Sequence, residues 1–381
     1  MVRFTIILLL AFPSFAFAQR KPGDGFSIGG GISLCILKEV ASPRECHRID
    51  EQSDLSPIPD WAFWPQENYQ MISDIGQGKF GDLLDKLRDI AEGKAWDYVE
   101  AWATGDPHVV SFGSDAFDFM ARGEFTYTEL GEGAQYFRVD AQHRSVGGDA
   151  AFIEAVSVGI GTHVVEIQSR RKQVVINGQK VRIKRKGIYL LHAQELSAPS
   201  NNSETPYAEI EGAILVHKNS YILISKDLHF VVIEHWPSNL DLYVMLNTDN
   251  IDRPSDVTGV LGSALGSLRF ATGDQIPDSL SREQFITFAE GFQVAIGDSQ
   301  FTSRRRIAFD SSFPNHFATI DELKEKSLNK ATKQATKLVG KDANAIVRDA
   351  CIYDLGFGGQ KFKGSCKSNR SNPTRKITIS E

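Results

Sequence analysis

Between residues 105 and about 295, apolar side chains recur at every second position in short runs parted by turn residues, and this alternation narrows the choice of fold more than any other feature. Successive side chains of an extended strand point to opposite faces, so a period of two marks β structure where a period near 3.6 would mark helix. The runs at 125–128, 155–158, 164–167, 214–216, 221–224, 230–233 and 242–245 are β-branched or aromatic and closely spaced. They predict an antiparallel all-β unit, sandwich-like or barrel-like. Between Val174 and Ile183, Asn177-Gly178 predicts a tight hairpin, because both central positions of a type I′ turn need positive φ.

The flanks read differently. Phe80, Leu83, Leu84, Leu87, Ile90 and Ala91 repeat at three- and four-residue steps, and Trp96, Val99 and Trp102 extend that face, so a helical N-terminal cap is expected. Thr319 with Glu322 forms a capping-box pattern ahead of Leu323, Gly340 supplies a helix stop, and 342–351 reads as a second short helix. Past Gly356 the chain is rich in Gly, Lys and Ser and is expected to be loose. The resulting division is a signal peptide at 1–18, a cap at 19–103, a β domain at 104–298, a helical C-terminal segment at 299–368 and a loose tail at 369–381.

Export is expected from the start of the chain. Arg3 provides a positive charge, 6–12 an apolar run, and Ala16 and Ala18 stand at −3 and −1 of a cleavage site before Gln19, the pattern of a secretory signal. No later stretch approaches the ~20 apolar residues of a membrane span. With 42 basic and 48 acidic side chains the net charge is −6, which argues against a general nucleic-acid binder relying on phosphate neutralisation. The four cysteines fall as two local couples, Cys35 with Cys46 and Cys351 with Cys366. The three possible connectivities stay open; the local loops are favoured because each couple lies in one module of an exported chain, with free thiols or a metal pair as the alternative.

Most catalytic spellings in the chain have a plainer explanation. Gly25-Phe26-Ser27-Ile28-Gly29 matches a nucleophile elbow, but it lacks the strand before it and the helix after it that such an elbow needs. Gly159 and Gly161 are followed by Val164 where a dinucleotide fingerprint has its third glycine. His229 and His235 have no third metal ligand and read as core or surface histidines. A basic stretch is more informative: Lys180, Arg182 and Lys184 share one face of the expected hairpin, where they could bind an acidic or sulfated glycan or simply protect a sheet edge from aggregation. Asn201 and Asn369 begin glycosylation sequons.

Gly105-Asp106-Pro107-His108, with Phe112, Phe117-Asp118-Phe119 and Gly123-Glu124-Phe125 downstream, resembles the opening of a von Willebrand factor type D domain. Gly259-Val260-Leu261-Gly262 and then Gly266 resemble that family's closing glycine-rich loop, and 349–354 resembles a Cys-containing segment that follows the domain in mucin-like proteins. The resemblance implies a mainly β fold, here with a helical N-terminal cap and a helical C-terminal segment. It also implies a calcium site, yet Gly113 stands where an Asp is expected and Ser263, Ala264 and Leu265 occupy the loop, so no cofactor is expected because that site is lost. Leu261 replaces a common cysteine, which places cysteine-mediated multimerisation in doubt.

In some members of that family the Asp-Pro bond of the motif breaks autocatalytically. The matching residues are Asp106, whose carboxylate is close enough to attack its own carbonyl, Pro107, whose nitrogen leaves, and His108, which could protonate it. Three functions follow. The leading one is a secreted, non-enzymatic protein that binds or assembles with an extracellular protein or glycan, in an oligomeric state the sequence leaves open. The second is a self-processing chain. The third is a secreted hydrolase, which requires a deep pocket with convergent titratable groups.

Overall fold

The computed structural model describes residues 97–131, 136–145, 149–169, 173–181, 183, 186–192, 210–217, 219–264, 266, 268–359, 366 and 373–380, and the backbone strands at 32–37 and 45–49. The expected helix at 80–91, the signal segment, the elbow-like spelling and both sequons lie outside the described residues. In chain order the first strands are β1 (Ile32–Leu37), β2 (Glu45–Ile49), β3 (Tyr98–Thr104), β4 (His108–Val110), β5 (Asp115–Asp118) and β6 (Gly123–Leu130). There follow β7 (Phe137–Ser145), β8 (Ala151–Ile160), β9 (His163–Gln168), β10 (Gln173–Ile176), β11 (Gln179–Val181) and β12 (Lys186–His192). The rest are β13 (Ile210–His217), β14 (Ser220–Ser225), β15 (Phe230–His235), β16 (Leu240–Asn247) and β17 (Ser279–Ser281). After them come α1 (Arg282–Gly291), α2 (Glu325–Val339), α3 (Ala345–Tyr353), β18 (Arg375–Lys376) and β19 (Thr378–Ser380).

The strands form two main sheets. One has six strands in the antiparallel order β11-β10-β9-β8-β7-β6; the other has eleven, in the order β18-β5-β4-β3-β16-β15-β14-β13-β12-β1-β2, and neither closes into a barrel. The two-residue period explains how they pack. Along β16, Leu240, Leu242, Val244 and Leu246 enter a core shared with Val139, Val158 and Ile167 of the smaller sheet. The intervening Tyr243 and Met245 point the other way, into a second core with Ala331 and Ala335 of α2 and Val347 and Cys351 of α3. The larger sheet is therefore covered on both faces, by the smaller sheet on one side and by the C-terminal helices on the other, and every residue of β16 is buried. At roughly 1.5–3 kcal/mol for each large apolar side chain removed from water, such a strand anchors the domain.

Several expectations hold and others are corrected. The mainly antiparallel β class is observed, and the hairpin between β10 and β11 turns at Asn177 (φ 47°) and Gly178 (φ 77°) as a type I′ turn requires. Gly340, with φ 91°, ends α2, and Cys351 and Cys366 are disulfide-bonded. Trp102 and Val99 do not continue a helical face: Tyr98–Thr104 is β3, between β16 and β4. There Ala101 and Ala103 face one core and Trp102 the other, because strand alternation and helical spacing coincide over so short a window. Nor is the β region free of helix. Ser281 caps α1 in a reciprocal capping box with Gln284, and Phe285 and Phe288 anchor it in the core.

The end of the chain is not a loose tail throughout. Arg375–Lys376 pairs in parallel with β5 and Thr378–Ser380 with β17, and Ile377 between them is buried. Composition missed this because the strands are short and their partners are distant in sequence. At the other end, the segment expected to be a helical cap contributes strands to the larger sheet, with β1 lying parallel to β12 and antiparallel to β2. In the latter register Cys35 stands directly opposite Cys46.

Candidate functional site

The Gly105-Asp106-Pro107 turn joins β3 to β4, whose register pairs Thr104 with His108. Gly105 has φ 67°, a left-handed conformation that glycine adopts without strain, and a Cβ there would run into the Asp354 carboxylate. Proline has no N–H to satisfy, and its carbonyl accepts the Phe119 amide at 2.8 Å. Strand pairing then makes the first functional contact. Because β4 and β5 are antiparallel with His108 opposite Asp118, the two side chains share a face, and His108 Nδ1 lies 2.5 Å from Asp118 Oδ1.

Two further elements close around the turn. Asp354, at the end of α3, places Oδ1 3.3 Å from His108 Nε2 and accepts the Asp106 amide at 3.3 Å. Tyr353 stacks edge-on against the imidazole at 5.5 Å between centroids. From the start of β8, the Ala151 amide donates to Asp106 Oδ1 at 3.0 Å. The Gly105 amide donates to Asp241 Oδ1 at 3.0 Å, an oxygen that also accepts from Asn239 Nδ2. Asp106, His108 and Asp354 are all buried.

Burial sets the electrostatics, and neighbouring charge reverses it where it is strong enough. Desolvation drives the Asp106 carboxyl well above the usual carboxylate range, against the opposing pull of His108, so it is held in its neutral form. Desolvation alone would lower His108, but the Asp354 and Asp118 carboxylates outweigh it and hold the imidazole well above its ordinary value, as a cation. Burial pushes Asp118 up, and His108 more than offsets this, leaving it below the ordinary carboxylate value. A neutral acid and an imidazolium thus sit on either side of one Asp-Pro bond.

Beside His108 and Asp118 opens a cavity of about 310 Å³, walled by apolar side chains such as Val110, Phe117, Ile346 and Ile377 and by the polar Asp321, Asp349, Tyr353 and Lys376. Among the described residues its wall carries no serine or cysteine. Beneath the turn lies an aromatic core. The Phe119 ring meets Phe125, Tyr127, Phe285 and Phe288 edge-on at 4.9–6.3 Å. Within it, His143 receives the Tyr127 hydroxyl at 2.8 Å through Nε2 and bonds the Ala121 carbonyl through Nδ1.

The other expected sites divide. Lys180 is exposed on β11, whereas Arg182 and Lys184 lie outside the described residues. His229 and His235 are both buried. In the closing loop, Gly259 has φ 133°, and a Cβ there would strike the Tyr127 carbonyl. Val260 and Leu261 donate to Thr126 and Tyr127, and Leu261 fills with buried hydrocarbon the place where a cysteine is common. Among the described residues, the side chains at these positions supply little of the oxygen-rich shell that calcium needs. Gly113 and Ala264 offer no side-chain oxygen, and the nearby Asp115 carboxylate is taken by the Leu268 amide and Arg375.

Sequence reasoning found Asp106, Pro107 and His108 but gave no role to Asp118, Ala151, His143 or Asp354. Asp118 was within reach, since a β4–β5 hairpin register would have set it opposite His108. Asp354, 248 positions from Asp106, left no local signal. Residues 101–262 match the family model of the von Willebrand factor type D domain. The match runs from β3 to the closing loop, so Asp354 and the disulfide lie beyond it. No curated protein matches the chain significantly.

Proposed function

We propose that this chain, whose residues 101–262 match the family model of the von Willebrand factor type D domain, is an exported, non-catalytic protein that binds or assembles with extracellular partners. The observation behind this reading is how the polar groups of the best-formed site are used. Asp106, Asp241 and Asp354 are engaged by main-chain amides within the fold, and none of the three lines the cavity beside His108 and Asp118. Calcium plays no part in this reading, given the donor set around Gly113 and Ala264. The Cys35–Cys46 pairing belongs to it as a second local disulfide. The test is expression with an affinity tag and recovery from the medium. The expected product begins at Gln19 and carries extracellular proteins or glycans with it; a chain kept inside the cell with residues 1–18 intact would overturn the reading.

A second reading is favoured by one observation: Asp106 and His108, both buried and both reached by Asp354 Oδ1, flank the same peptide bond. One Asp106 carboxyl oxygen adds to its own backbone carbonyl carbon and closes a cyclic anhydride. The C–N bond to Pro107 breaks as His108 delivers a proton to the departing prolyl nitrogen, and the imidazole takes up in exchange the proton that the Asp106 carboxyl gives up on attack. Water then opens the anhydride, leaving a new C-terminus at Asp106 and a new N-terminus at Pro107. Both halves would stay attached, because β3 pairs with β4 across the cut and Pro107 holds the Phe119 amide. Mass spectrometry of the denatured chain after incubation near pH 6 should give two fragments meeting at this bond, absent from Asp106→Asn. A chain that stays whole disposes of self-processing.

A further inference from the structure

We infer that the exposed face of α2 is a docking surface for a linear sulfated polysaccharide, an inference that rests on the exported, partner-binding reading above. Lys326, Lys330, Lys333 and Lys337 recur at steps of four, three and four residues, and all four are exposed. At 100° per residue they fall within an arc of about 60° and form a row about 16 Å long. The buried residues Ala331, Ala335 and Val339 lie on the opposite side. Glu325 is the single acid within the helix, and beyond its ends Lys324 and Lys341 are offset by Glu322 and Asp342. In a chain of net charge −6, this is a concentrated positive field.

The row does not serve the helix itself. Like charges three and four positions apart repel, and a cation in the first turn, as at Lys326, opposes the helix dipole. A partner with closely spaced negative charges removes both penalties. A straight, single-file row suits an extended polyanion, and Ser327 and Asn329 beside it can hydrogen-bond sugar hydroxyls. A lipid surface fits less well, since membrane-bound amphipathic helices bury their apolar face in the bilayer, whereas this one packs against the larger sheet. The β10–β11 hairpin, the first place the sequence suggested for a polyanion, contributes Lys180 alone among the described residues.

The experiment is calorimetric titration of the purified full chain with a heparin octasaccharide over a range of salt concentrations. Binding should weaken linearly in log affinity against log salt, and the combined change Lys326→Gln, Lys330→Gln, Lys333→Gln and Lys337→Gln should lower the affinity roughly tenfold or more with a shallower salt slope. Circular dichroism establishes that this variant is folded, and Lys180→Gln should bind like the unaltered chain. The inference fails if the fourfold variant keeps its affinity or if Lys180→Gln loses as much. It fails equally if mixed phosphatidylcholine and phosphatidylserine vesicles sediment the chain while heparin does not bind. Because the titration uses purified protein, its outcome is independent of whether cells export the chain.

Discussion

His108 and His143 are both buried, yet their titrations are pushed in opposite directions. His108 lies in the turn between β3 and β4 with a carboxylate at each ring nitrogen and is held as an imidazolium. His143 lies in the aromatic core with a phenol and a carbonyl as partners, and burial drives it down to about 3, so it is neutral. Desolvation acts in the same direction on both; what differs is whether two anions are near enough to outweigh it. The turn therefore stores charge that chemistry could use, while the core beneath it stores packing.

The largest way to break the contrast is to remove the packing. Phe119→Ala, at the hub of the aromatic core, should cost about 3–5 kcal/mol in urea unfolding. If instead the loss is below about 1 kcal/mol, the core does not support the turn as described. Acid sharpens the comparison with an effect of similar size. Between the ordinary histidine value and about 3, the unfolded chain takes up a proton at His143 that the folded chain refuses. Stability should thus fall as pH drops through that window, by roughly 4 kcal/mol at its lower end. His229, lowered to about 4 by burial, adds to the same trend.

His108 has the opposite sign: its folded value is raised, so its contribution is complete below the unfolded value and is lost as pH climbs through the folded one. Assigned imidazole NMR resonances at pH 7 should show the His108 ring protonated and the His143 ring neutral; a neutral His108 would refute the comparison. The smallest effect is expected from Asp354→Asn. The amide keeps an acceptor for the Asp106 N–H but loses the charge, costing about 1 kcal/mol. The His108 titration should move downward while that of His143 stays in place. An unmoved His108 would assign its charge to Asp118 alone.

Which parts of this were legible in advance depended on distance along the chain. Alternation at 242–245 and its neighbours announced the strands, because the side-chain period is a property of the local backbone. Asn177-Gly178 announced its hairpin for the same reason. The window around Val99 and Trp102 misled because a few residues satisfy both periods, and only the β16 neighbour settles which is used. The tail around Ile377 misled because its strands are recruited by partners far away.

By itself, the sequence determined the class of fold, the turn chemistry at Gly105 and Pro107, and the presence of an acid and an imidazole beside one Asp-Pro bond. Only the tertiary structure decided that Asp118 and Asp354 flank that imidazole, that Asp106 is buried as a neutral acid, and that the lysines of α2 all face outward. Charge state and exposure are set by what lies across space from a group, and groups as distant in sequence as Asp106 and Asp354 meet only when both faces of the larger sheet are covered.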